Sequence, residues 1–297
     1  MIEGYARAGR VLSDLLLKYA GSISQGASVL AVCEQIEREI LEAGCKPAFP
    51  VNISIDSVAA HYTAEPGDHL KIGELALVKL DIGVHYDGYI ADAAISICVG
   101  GYGLELKEAC EAALEKAISR VREGVRIREI SYIIDEEIRG HGAKPVSNLT
   151  GHMIKRYRLH AGVSIPNVRS WSSIYKLKTG DVLAIEPFAT LPGSAGVVME
   201  RPPAQIFSLV RCRKPRGRVE AAIMSYASEL RGLPFCRRWV SRELGSRHVL
   251  ELDKLARVGV LHAYPPLVES SGGIVAQAEA TVMVDGDGSH VIASPFR

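Results

Sequence analysis

The chain of 297 residues is 47% hydrophobic and 23% charged, with a formal net charge of +1. This is an ordinary globular composition, long enough for one large domain or two smaller ones around a sizeable core. Near-neutral charge argues against dedicated DNA binding or a membrane-surface role, and no run reaches the roughly 18 apolar residues of a membrane span.

Tyr5, Leu12, Leu15 and Tyr19 mark a first amphipathic helix directly after Met1, where no signal-peptide pattern is seen. The next segment recurs. A shift of 98 positions lays Gly26 on Gly124, and Val29, Val32, Ile36 and Ile40 on Ile127, Ile130, Ile134 and Ile138. Both copies end in a glycine and then a proline, Gly44-Cys45-Lys46-Pro47 and Gly142-Ala143-Lys144-Pro145, the signature of a helix stop. Leu70-Lys71-Ile72-Gly73-Glu74 is echoed by Leu177-Lys178-Thr179-Gly180-Asp181 at an offset of 107. Leu106, Cys110, Ala113, Ala117 and Val121 open the second copy. The predicted architecture is α+β, two helix-helix-strand halves packed face to face. Residues from about 195 to 265 depart from the repeat and read as a mainly helical insertion. Strands return at Gly273 to Val284 and Ser289 to Ser294. The six cysteines include no Cys-x-x-Cys pair, so reduced thiols of a cytoplasmic protein are expected.

Four acids interrupt apolar strand-like runs: Asp81, Asp92, Glu186 and Glu279. A buried, ionised carboxylate costs several kcal/mol unless it is compensated. If these four converge, about four negative charges require cations, and two divalent ions sharing a hydroxide nearly neutralise them. Asp81 and Asp92 flank His85-Tyr86-Asp87-Gly88, a hairpin signal; a four-residue loop there places them directly opposite on one face. His152 and His160 follow in a loop setting as candidate ligands, and His61 is a third candidate. His69, His85, His141, His248, His262 and His290 receive no role. One imidazole among carboxylates suits manganese, iron or cobalt at least as well as zinc. Two such ions sharing one water make it a hydroxide nucleophile at neutral pH, so hydrolysis is expected; Gly-x-Ser-x-Gly and phosphate-loop signatures are missing.

The ordered set Asp81, Asp92, His152, Glu186, Glu279 on a repeated helix-helix-strand unit resembles the pita-bread metallopeptidases, which include methionine aminopeptidases, aminopeptidase P and prolidase. Within them the chain looks most like the short type 2 methionine aminopeptidases. Phe49-Pro50-Val51-Asn52-Ile53-Ser54, Leu233-Pro234-Phe235-Cys236-Arg237-Arg238-Trp239 and Tyr264-Pro265-Pro266-Leu267 support this, as does the room for an insertion between Glu186 and Glu279. The resemblance implies a pita-bread fold with a pseudo-twofold repeat about a curved antiparallel sheet, residues 1–297 forming a single catalytic domain. It implies that Asp81 holds one of two divalent ions (Co, Mn, Fe or Zn), that His152 and Glu186 serve mainly the other, and that Asp92 and Glu279 bridge both. His160 then stabilises the scissile carbonyl, His61 contacts substrate, Glu186 relays a proton, and Phe49, Leu159 and Tyr264 line the methionine pocket. The implied activity is removal of the initiator methionine from nascent chains. An Xaa-Pro peptidase and a non-catalytic binding relative are the rival readings. Arg211, Arg213, Lys214, Arg216 and Arg218 read as a solvated loop, with weak docking on ribosomal RNA as the alternative.

Overall fold

The computed structural model describes residues 2–171 and 173–296. Helices α1 (Ile2–Ala20) and α2 (Val29–Glu42) precede a long hairpin of strands Ala76–Tyr86 and Tyr89–Val99. Helices α3 (Leu104–Arg120) and α4 (Ile127–Gly140) precede the strands Thr150–Ile154 and Val182–Ile185. The repeat read from the sequence extends to hydrogen bonds. Gly26 N–H donates to Ile72 O and Gly124 N–H to Leu177 O, each at 2.8 Å. Both glycines have φ of 81°, a left-handed backbone that a side chain strains. The stops also match: Cys45 N–H reaches back to Ile40 O and Ala143 N–H to Ile138 O, both at 3.1 Å, behind left-handed Gly44 and Gly142.

Those bonds correct the second part of the repeat. Gly26 and Gly124 select Ile72 and Leu177 as equivalents, an offset of 105 rather than 107. The same offset relates Gly83 to Phe188, which accept from Ala48 N–H and Val146 N–H. It also carries Asp81 onto Glu186. At this offset Gly73 falls on Lys178 and not on Gly180, so matching the glycine turns alone shifts the alignment by two residues.

The hairpin register also differs from the expected four-residue loop. Tyr86 pairs with Tyr89, so the loop is the two residues Asp87 and Gly88. Their φ values, 50° and 82°, are both positive, as a type I′ turn demands and Asp-Gly favours. Asp81 therefore faces Ala94, and Asp92 faces Gly83. The acids sit diagonally instead of directly opposite, yet on one face, because the shift is an even number of residues. Val78, Leu80, Ile82, Ala91, Ala93 and Ile95 point the other way and pack beneath α1 and α2.

In the second half, Ile130, Ile134 and Ile138 of α4 and Ala113, Leu114 and Ala117 of α3 cover Leu183, Ile185, Ala280 and Val282. Those strands belong to an antiparallel sheet ordered Ser289–Ala293, Ala280–Val284, Val182–Ile185, Thr150–Ile154, Ser164–Pro166. The halves meet at an isolated bridge, Ala94 with Glu279, closed by Glu279 N–H to Ala94 O at 2.9 Å. Between about 195 and 265 lie α5 (Arg218–Glu229), α6 (Arg237–Leu244) and α7 (Ser246–Arg257). They pack on a sheet of Phe235–Cys236, Ile206–Leu209 and Leu261–Tyr264 around their own apolar cluster. The stretch is thus less purely helical than its sequence suggests.

Candidate metal centre

Every acid read from the sequence lies where the two halves touch. Asp81 and Asp92 come from the hairpin, and Glu186 follows the strand Val182–Ile185. Glu279 occupies the break between Val275–Gln277 and Ala280–Val284, and His152 sits in Thr150–Ile154. Thr281 clamps one contact: its hydroxyl accepts Asp92 N–H at 2.8 Å and donates to Asp92 O at 2.7 Å. Together with the Ala94–Glu279 bridge, this fixes Asp92 against Glu279 across the junction.

His152 Nε2 lies 3.6 Å from Asp92 Oδ2 and 3.6 Å from Glu186 Oε1. Among the described residues, Asp92, His152 and Glu279 present ligand atoms all within 4.8 Å of one another. Asp81, Asp92, Glu186 and Glu279 line one cavity of about 70 Å³ with His61, His160, Phe49, Leu159 and Tyr264. A larger depression of about 540 Å³ lies on the far side of α4, between Arg128, Tyr132 and Arg169, and contains none of these groups.

The electrostatics of the cluster call for cations. Burial, with no cationic side chain opposing it, pushes Asp81 up to about 7, against a hydrogen bond from Gln277. Asp92 is pushed well above the usual carboxylate range by burial and then by the charge of Asp81. Glu186 and Glu279 are raised by burial and by the neighbouring acids. Burial lowers His152 to about 3, so its imidazole is neutral and able to ligate. Asp81 Oδ1, Asp92 Oδ1 and Glu279 Oε1 are buried without hydrogen-bond partners. An acceptor-only set of carboxylates with one neutral imidazole fits hard or borderline divalent ions.

The flanking groups suit a small apolar substrate. His160 stacks edge-on against His152, with centroids 4.4 Å apart, and burial lowers its pKa. His61 adopts φ of 65° and packs edge-on against Tyr264 at 5.7 Å. Burial first, then His160, lowers His61 to about 4. Gly83 makes room for the wall: a Cβ there would lie 2.2 Å from the Phe49 ring. Sequence reasoning overlooked Asn52, Gln277, Ile206 and Pro234, which also line the cavity. Gln277 Nε2 donates to Glu279 Oε2 at 3.1 Å. Its position two residues before Glu279, on the same side of the chain, was the available signal. His262, given no role, packs on Tyr264 with centroids 4.4 Å apart. The basic residues 211–218 form a mostly exposed loop, where Arg213 pairs with Glu220 at 2.6 Å.

Comparison with known proteins agrees with this geometry. The family model for metallopeptidase family M24 matches residues 3–203. A methionine aminopeptidase of Thermococcus onnurineus is 44% identical over 97% of this chain and 98% of its own. One from Methanothermobacter thermautotrophicus is 42% identical over 98% of each. Among solved structures, a methionine aminopeptidase from Thermotoga maritima superposes with a TM-score of 0.72 at 21% identity, covering 99% of this chain and 96% of that one. A prolidase from Pyrococcus furiosus gives 0.64 at 18% identity, covering 100% of this chain but 64% of that one. At those identities the structural matches establish the pita-bread fold alone. With the sequence relatives, they lead to one assignment: the chain belongs to metallopeptidase family M24, among its methionine aminopeptidases.

Proposed function

We propose that this chain removes N-terminal methionine from peptides by metal-assisted hydrolysis, with Asp81, Asp92, His152, Glu186 and Glu279 holding two divalent ions. The observation that carries the reading is four clustered carboxylates, three of them with a buried oxygen that lacks a hydrogen-bond partner, around one neutral imidazole, in a chain 42–44% identical to two methionine aminopeptidases over nearly its whole length. Such ions supply a Lewis acid for the scissile carbonyl and a water acidic enough to attack it at neutral pH. Manganese, iron, cobalt and zinc are the candidates.

The protein's own groups divide the remaining work. His160, neutral at pH 7 and beside His152, donates a hydrogen bond to the carbonyl oxygen as charge develops there. Glu186, whose carboxyl is raised by burial and then by the charges of Asp92 and Asp81, relays the proton from the attacking water to the leaving amine. Phe49, Leu159 and Tyr264, with Ile206 and Pro234, close an apolar wall suited to a thioether, while His61 borders the same space. We place residues 1–297 in a single catalytic domain, with about 195–265 as an insertion that contributes Ile206, Pro234 and Tyr264 to this wall.

Asp92→Ala and Glu279→Ala should each abolish cleavage of Met-Ala-Ser together with binding of the second ion. Full turnover by either variant at limiting metal would remove the ligand assignment. Nascent chains in the cytoplasm are the proposed substrates, and the described residues include no helix long and apolar enough to cross a membrane. Weak ribosome docking through 211–218 belongs to the same proposal; unchanged co-sedimentation at low salt after neutralising the five basic residues would end it.

A further inference from the structure

Asn52 stands directly across the sheet from Asp81, on the strand Asn52–Ile55. It is 4% exposed and lines the cavity that holds the acids. Its amide orientation is set locally, because Nδ2 donates to Pro50 O at 2.8 Å. That leaves Oδ1 buried without a hydrogen-bond partner. An orphaned amide oxygen costs about 1–3 kcal/mol unless something donates to it, so it marks a place where a donor belongs. The acids beside it are acceptors, and a neutral amide competes poorly with four carboxylates for a divalent ion. The substrate's free amino terminus is a donor-only group, and it is the group that separates an aminopeptidase from an endopeptidase.

We propose that Asn52 Oδ1 accepts a hydrogen bond from the α-amino group of the substrate, making Asn52 a specificity-determining residue. This rests on the methionine aminopeptidase reading and adds the residue that recognises the free amine. Asn52 would act beside the metals, tightening binding of peptides and products that carry an amine.

The test pairs a change in the protein with a change in the ligand. Metal-loaded wild type, Asn52→Leu and Asn52→Asp are titrated calorimetrically with L-methionine and with 4-(methylthio)butanoate, which lacks the amine, and metal content is measured for each. Asn52→Leu removes the acceptor; Asn52→Asp loses the same bond to Pro50 but keeps an oxygen acceptor. The ratio of the two affinities should shrink about tenfold in Asn52→Leu, the scale of one hydrogen bond to a charged group, and persist in Asn52→Asp. An unchanged ratio in Asn52→Leu, or an equal collapse in Asn52→Asp, overturns the assignment. Should Asn52→Leu not fold, Asn52→Ala, which also lacks the acceptor, takes its place, with the same expected shrinkage and the same overturning result. Failure of the underlying reading shows separately, as wild-type protein that neither cleaves Met-Ala-Ser nor binds methionine.

Discussion

Glu37 of α2 and Arg238 of α6 form an ion pair 4% exposed or less on each side, joining the insertion to the first half. Arg238 Nη1 lies 2.5 Å from Glu37 Oε2, and Nη2 lies 2.9 Å from Oε1. Trp239 Nε1 and Val51 N–H also donate to Glu37, at 2.7 and 3.2 Å. Arg238 further reaches Thr63 Oγ1 at 3.2 Å and Ala64 O at 3.3 Å. The pair therefore anchors backbone on both sides of the cavity wall, next to Asn52 and close to His61. Glu37→Gln leaves a guanidinium that cannot lose its proton stranded in the interior, a loss of about 3–5 kcal/mol. With an unfolding entropy near 0.6 kcal/mol/K for a chain this long, the melting temperature should fall by about 5–8 °C. Arg238→Met should cost less, because Glu37 keeps the Trp239 Nε1–H and Val51 N–H donors. Thermal and denaturant unfolding of the two single variants and of the double variant measure this asymmetry. If Glu37→Gln melts within about 1 °C of wild type, or Arg238→Met proves the more damaging change, the reasoning fails.

Two further outcomes follow from the centre. His160→Ala should lower kcat by about 10²–10³ with metal content intact; loss of metal instead would mean that His160 supports the ligands. In the metal-free chain, the stability contributed by the raised acids should fall as pH rises from 5 to 7. Asp81 is raised to about 7 and the other acids are raised too, so at these groups the fold binds more protons than the unfolded chain in that window, while the lowered His61, His85, His152 and His160 work in the opposite direction. Stability contributed by the protonated acids is complete below their unfolded values near 4 and is lost as pH climbs through the folded values. Melting of chelated wild type beside chelated Asp81→Asn, which cannot titrate, isolates one acid: the variant should gain on wild type as pH climbs from 5 to 7, and a constant or opposite difference contradicts the sign.

Much of this architecture was legible because its signals are local. Gly44 and Gly142 must end their helices in left-handed backbone, and the isoleucine stripe of α4 has one apolar sheet to cover. The acids stood out because each breaks a strand whose other residues are buried. Register was harder. The choice between a two- and a four-residue loop at Asp87-Gly88 rests on two φ angles, and the 105 offset rests on hydrogen bonds that Gly26 and Gly124 make far along the chain. Asn52 escaped notice because a polar residue in a short strand has no pattern of its own, and Gln277 offered only its spacing from Glu279. They acquire meaning only when the register sets Asn52 opposite Asp81 and the break after Gln277 turns its amide onto Glu279. The strand Ile206–Leu209 was missed in a helical context because its partners lie 28 or more residues away.

The most direct test is hydrolysis of Met-Ala-Ser, beside Xaa-Pro peptides, by protein stripped of metal and then resupplied with manganese, iron, cobalt or zinc in turn. The account predicts no turnover without metal, recovery with at least one of these ions, and preference for Met-Ala-Ser. Undiminished cleavage by protein that elemental analysis finds free of transition ions would contradict it.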